Sequence, residues 1–251
     1  ADCIMDKVSK ILSPSAPFVI EFMGTYCLVT AVFFSSVDIG GFAVSLMLVA
    51  MVFMGGHISG AHYNPAVTLG VFCSGREKMN WREALLYMVS QFTAGILAAF
   101  INWGLAYNLI NFPHQGLVGP FYAPEIMPGG NGAQAFAAEF IATFVLVSVV
   151  LSVGTSKKVE GNSFFGLAIG FTVGAFAYAF GPISGGVFNP AVGTGPLIVD
   201  AISVGAIAQM KWIWLYWIAP FLGGLVASVI YRVTHHKTDY NEAHIEINSD
   251  F

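Results

Sequence analysis

Apolar residues in this chain come in long unbroken runs rather than in an alternating or one-faced pattern. Six runs lie at about 17–37, 40–56, 84–107, 134–153, 164–180 and 212–232. A helix needs roughly 20 apolar residues to cross a hydrocarbon core of about 30 Å, and these runs reach or approach that length. Two shorter apolar stretches, at about 65–73 and 190–199, cannot span. Each follows an Asn-Pro-Ala triplet. Asn is a favoured helix N-cap, and Pro suits the first helical position because its missing N–H has no intrahelical partner. Both stretches therefore read as half-helices starting at the triplet. The predicted fold is an all-α membrane protein with six transmembrane helices and two re-entrant half-helices.

Composition agrees. The chain is 56% hydrophobic and 10% charged, with a mean hydropathy of +0.73, whereas soluble domains carry roughly a quarter charged residues. Residues 1–16 are mixed polar and the first apolar run is long enough to stay in the membrane, so no cleavable signal peptide is expected. Lys7, Lys10, Arg76, Lys78, Arg82, Lys157, Lys158, Arg232 and Lys237 fall on one side of the predicted topology and only Lys211 on the other. The positive-inside rule then puts both termini in the cytoplasm. The connection 108–131 carries no Lys or Arg and is rich in Pro and Gly, and is expected to be an irregular but ordered external loop. The polar tail 234–251 is expected to be disordered. Cys3, Cys27 and Cys73 have no metal or redox spacing, no basic patch points to nucleic acid, and no nucleophile–base or paired-carboxylate constellation points to an enzyme. No cofactor or metal is expected.

The chain is close to two copies of one unit. GHISGAHYNPAVTLG at 56–70 returns as GPISGGVFNPAVGTG at 181–195, with nine of fifteen positions identical. Glu21-Phe22-x-x-Thr25 returns as Glu139-Phe140-x-x-Thr143, and Tyr87-x-x-x-x-Phe92-x-x-Gly95 as Tyr216-x-x-x-x-Phe221-x-x-Gly224. A single channel domain over 1–251 is expected, with repeats at about 17–110 and 134–233 and cytoplasmic tails at 1–16 and 234–251. Three spans per repeat is an odd number, so the second copy inserts inverted and the site falls where the copies meet. The N-termini of the two half-helices then converge near the midplane, each with about half a positive charge that repels cations and protons. The Asn64 and Asn189 amides offer N–H groups to a passing neutral molecule.

Over about 17–233, the two Asn-Pro-Ala blocks, HISGAHYNPAVTLG and the Glu residues of spans one and four resemble the aquaporin, or major intrinsic protein, family. The resemblance implies six tilted helices around a narrow pore, a homotetramer with one pore per subunit, and a passive path for water. The pore triplets would be Asn64, Pro65, Ala66 and Asn189, Pro190, Ala191. Glu21 and Glu139 would support the pore loops by accepting hydrogen bonds from loop backbone, a structural role weighed against proton relay. His57 and His62 would flank the first loop on the cytoplasmic side, with His62 bonding nearby backbone. Ser59, Gly60, Ser184 and Gly185 would form turns into the half-helices, and the carbonyls of 55–60 and 181–186 a hydrogen-bonding ladder for permeants. Ser74 and Ser156 read as exposed inner-loop serines, with phosphorylation as the alternative role.

The family's four-residue filter, counted without gaps from the two Asn residues, falls on Val44, Ala177, Gly186 and Val192. Water-selective members resemble an aromatic, His, a small residue and Arg at these places, so this chain lacks the Arg. A wider, less polar pore is expected, passing glycerol, urea, ammonia or hydrogen peroxide beside water, with proton exclusion resting on the half-helix dipoles. A count displaced by a helical step would instead bring Phe42, Phe176, Phe180 or Phe188 to the pore. Gly193, where glycerol-type members resemble Asp, and Tyr216-Trp217 point back to the water-type branch. Two other readings are a coupled transporter, which lacks midplane charges beyond the two Glu residues, and a gated or closed protein of aquaporin fold with a structural or adhesive role.

Overall fold

The structure, a computed structural model, describes residues 13–35, 39–107, 124–126, 130–203 and 207–235. Most of the expected external loop and tail, and Cys3, lie outside them. The helices are α1 (Ala16–Phe34), α2 (Gly40–Ser59), α3 (Pro65–Cys73), α4 (Trp81–Tyr107), α5 (Gly132–Thr155), α6 (Phe165–Ser184), α7 (Pro190–Ser203), α8 (Ile207–Met210) and α9 (Ile213–Thr234). Short 3-10 turns precede α1 and follow α5. No strand occurs among the described residues. Among the described residues, six helical segments are long and apolar enough to cross a membrane, in the six places expected.

Several helix ends lie outside the apolar runs for local reasons. Asn80 Oδ1 accepts from the amides of Arg82 and Glu83, and Glu83 Oε2 accepts from Asn80 N at 2.8 Å. This reciprocal cap starts α4 at Trp81, three residues before its apolar run. Asn131 and Gln134 do the same for α5. α2 and α6 continue to Ser59 and Ser184, beyond the expected ends at 56 and 180. They stop where Gly60 and Gly185 turn left-handed, at φ 84° and 88°, a conformation that glycine adopts without strain.

The two repeats interlock. Each half-helix packs mainly on the third span of the opposite repeat, α3 on α9 and α7 on α4. The contacts are as close as backbone allows: a Cβ on Gly95 would lie 2.6 Å from the Ala191 carbonyl, and one on Gly224 would lie 2.6 Å from the Ala66 carbonyl. Both partners are triplet residues, so these glycines set how deeply the half-helices sit. Gly224→Val and Gly95→Val should therefore destabilise the fold by about 1–3 kcal/mol or more each, as overpacking does. Thermal unfolding in detergent reads this, and unchanged midpoints would count against the packing account.

A second close crossing joins α2 to α6. Gly166, Gly170 and Gly174 recur every four residues on α6 and so share one face. They receive Phe53, Val49 and Ser45 of α2, with a Cβ at Gly174 only 1.8 Å from Ser45 Oγ.

Candidate functional site

The segments entering the half-helices are held by the two span carboxylates. Glu21 and Glu139 are fully buried. Glu21 Oε1 accepts from Ser59 Oγ at 2.7 Å and His62 N at 2.8 Å, and its Oε2 from Tyr63 N at 2.6 Å and Gln91 Nε2 at 2.8 Å. Glu139 repeats the first three bonds, accepting from Ser184 Oγ at 2.7 Å, Val187 N at 2.9 Å and Phe188 N at 2.6 Å. Non-helical backbone at membrane depth persists only when its polar groups are satisfied inside the protein, and these carboxylates satisfy them.

The loops are strained in matching places. Ala61, Tyr63 and Phe188 have φ of 52°, 50° and 52°, and Gly186 has 66°. Left-handed non-glycine residues cost on the order of 1 kcal/mol or more and survive where neighbours over-determine them. Ser59 Oγ accepts from Ala61 N at 3.0 Å and Ser184 Oγ from Gly186 N at 3.2 Å, closing each turn.

The two Asn residues meet by reciprocal bonds. Asn64 Nδ2 donates to the Phe188 carbonyl and Asn189 Nδ2 to the Tyr63 carbonyl, each at 2.8 Å. Their Oδ1 atoms cap the half-helices, accepting from Ala66 N at 2.9 Å and Ala191 N at 3.0 Å. Pro65 and Pro190 open α3 and α7. One N–H of each Asn amide is thus engaged in stitching the repeats, leaving one per amide, rather than the whole group, for a passing molecule.

A single cavity of about 420 Å³ takes in Asn64, Asn189, Val44, Ala177, Gly186 and Val192. None of its lining residues among those described carries a fixed charge. Phe188 contributes to the lining, whereas Phe42, Phe176 and Phe180 do not. Phe176 instead packs edge-on to Phe188, with ring centroids 6.4 Å apart. Neither Cys27 nor Cys73 lines the cavity.

Several expectations need correction. His57 sits exposed on the last turn of α2, makes no hydrogen bond to the described loop residues and lies outside the cavity lining, because the helix continues past it to Ser59. His62 does line the cavity, but its ring Nδ1 pairs with Thr68 Oγ1 at 3.2 Å rather than with backbone. The carbonyl ladder expected in the first repeat shifts for the same reason as the end of α2. The Ser59 and Ser184 carbonyls are taken by the hydroxyls of Tyr87 at 2.9 Å and Tyr216 at 2.6 Å. In the first repeat the cavity is lined by 61–64 and by none of 55–60, whereas in the second Gly181, Pro182, Gly185 and Gly186 of the expected stretch line it together with 187–189. Ser74 is fully buried, donating to the Val71 carbonyl at 2.7 Å, and Ser156 is buried too, so neither is an exposed loop serine. Arg76, counted above as an inner-loop charge, is buried and donates to Thr155 Oγ1 at 3.1 Å and to the Thr155 carbonyl.

Reading the sequence missed Gln91, which bridges Glu21 and Thr68 Oγ1 at 2.9 Å. It also missed the role of Tyr87 and Tyr216, although their repetition was visible. The first repeat's His62–Thr68–Gln91 group has Val187, Gly193 and Pro220 in its place in the second, so the two halves of the cavity differ in polarity.

The sequence matches the family model described as major intrinsic protein over residues 16–231. It is 35% identical over 195 residues to aquaporin NIP1-4 of Oryza sativa subsp. japonica, covering 76% of this chain and 64% of that protein. It is 31% identical over 250 residues to aquaporin NIP1-2 of Arabidopsis thaliana, covering 92% and 80%. The fold is similar to the X-ray structure of the aquaglyceroporin from Plasmodium falciparum, with a TM-score of 0.74 at 22% identity, covering 88% of this chain and 96% of that one. The chain belongs to the major intrinsic protein family. It is an integral multi-pass membrane protein and a passive channel for water and small solutes, not an enzyme. The closed, adhesive alternative is not favoured.

Proposed function

We propose that permeants pass in single file between Asn64 and Asn189, that Val44, Ala177, Gly186 and Val192 set which solutes enter, and that glycerol, urea, ammonia and hydrogen peroxide accompany water. The observation that carries this reading is the one cavity that includes both Asn residues and all four filter positions without a fixed charge. A solute entering it loses water against small apolar side chains, which penalises ions far more than neutral molecules. Farther in, the remaining amide N–H groups and the positive ends of α3 and α7 favour neutral acceptors and oppose cations. Glu21, Glu139 and His62 keep the loops in register. A single channel domain, cytoplasmic termini and a homotetramer complete the proposal. The Lys and Arg distribution supports the orientation, and the family resemblance supports the tetramer.

Stopped-flow light scattering on proteoliposomes tests the solute range. Fast shrinkage in sucrose measures water, and re-swelling in glycerol or urea measures solute entry. The expected result is fast shrinkage in all three and fast re-swelling in glycerol and urea. Fast shrinkage with re-swelling no faster than empty vesicles would overturn the wide-filter reading.

A further inference from the structure

The glycine stripe that joins α2 and α6 reverses at the mouth of the cavity. At Gly166, Gly170 and Gly174 the glycine is on α6 and the side chain comes from α2. One turn on, the side chain is Tyr178 of α6 and the glycine is Gly41 of α2, where a Cβ would lie 3.0 Å from the tyrosine ring. The ring is also fixed at its tip, because Phe42 N, an amide in the first turn of α2, donates to the Tyr178 hydroxyl at 3.2 Å. Such first-turn amides have no intrahelical acceptor, so the hydroxyl serves as their cap. Tyr178 is half-exposed and lines the cavity together with Gly40, Gly41 and Ser35. Gly41 is three residues from Val44, roughly 4.5 Å along the helix, so the ring stands just beyond the filter on the α2 N-terminal side. Among the described residues, its own hydroxyl proton has no acceptor.

We propose that Tyr178 is a specificity-determining residue, a fixed aromatic collar whose hydroxyl donates to an oxygen of a small neutral solute as that solute sheds water before the apolar filter. The inference rests on the reading of Val44, Ala177, Gly186 and Val192 as an open solute path. Those four side chains offer no hydrogen bond, so a donor immediately before them offsets part of the dehydration cost of a polyol or an amide. The ring bounds the width of what reaches them.

The test compares wild type, Tyr178→Phe and Tyr178→Ala in proteoliposomes, taking solute permeability divided by water permeability in the same vesicles. With the permeabilities of empty vesicles subtracted, that ratio does not depend on how much channel inserts, so a partial loss of folding alone leaves it unchanged. Tyr178→Phe keeps the ring and removes the donor, and is expected to lower the glycerol-to-water ratio about fivefold, the size of one lost hydrogen bond. Tyr178→Ala is expected to raise the ratio for the longer polyol erythritol several-fold relative to that for glycerol. If the alanine variant does not insert, Gly41→Ala, whose methyl would push the ring aside, is expected to change the erythritol ratio in its place. Wild-type ratios in these variants would overturn the proposal. A wild-type channel that passes water but no glycerol would overturn the open-filter reading instead.

Discussion

Glu139→Leu is expected to cut recovery of folded channel severely and lower its melting temperature, and Glu139→Gln to restore part of the loss. Leucine leaves the amides of Val187 and Phe188 without an acceptor at a fully buried position. The Ser184 hydroxyl can turn to the Phe180 carbonyl, 3.4 Å away, so the two amides carry the loss. Each orphaned buried donor costs about 1–3 kcal/mol, so the pair removes about 2–6 kcal/mol, a large share of a net stability of roughly 5–15 kcal/mol. Glutamine keeps one oxygen to accept but turns an NH₂ toward another N–H. Glu21→Leu is expected to be worse, because one N–H of the Gln91 amide also loses its acceptor, the other still reaching Thr68 Oγ1. Size-exclusion profiles and thermal unfolding in detergent measure these effects. A Glu139→Leu protein that melts like wild type would show that the loop is held by something other than the carboxylate.

Val192→Arg is expected to lower the ratio of glycerol or urea permeability to water permeability by at least about tenfold, equivalent to about 1.4 kcal/mol of barrier. Val192 lines the cavity near the start of α7. Arginine there adds volume and a fixed cation where the described lining has no fixed charge. The positive end of α7 opposes that cation, so some loss of stability accompanies the change. The ratio in proteoliposomes isolates selectivity from yield. An unchanged ratio would move the filter away from this position.

The half-helix starts were legible in the sequence because Asn and Pro act locally: Asn64 and Asn189 cap where their residue type says they should. The spans were legible because hydrocarbon demands long apolar runs. The ends of α2 and α6 were not, because His57 in α2 and Gly181-Pro182 in α6 break the apolar run without ending the helix. Only the left-handed turns at Gly60 and Gly185 end these helices. In the first repeat that one-turn error displaced the expected carbonyl ladder and brought His57 into the expected site. Burial of Arg76 was also hidden, since it depends on Thr155 and Tyr231 arriving from the other repeat. The α6 glycines were hidden differently: their four-residue spacing lies inside an apolar run, where composition masks periodicity.

Ion exclusion by an uncharged, arginine-free pore is the central claim, and one experiment addresses it directly. Water flux and proton flux are measured on the same wild-type proteoliposomes, by light scattering and by an entrapped pH-sensitive dye under an imposed proton gradient. The account predicts water flux well above that of empty vesicles with proton flux no greater than theirs. Proton flux rising in parallel with water flux would contradict it.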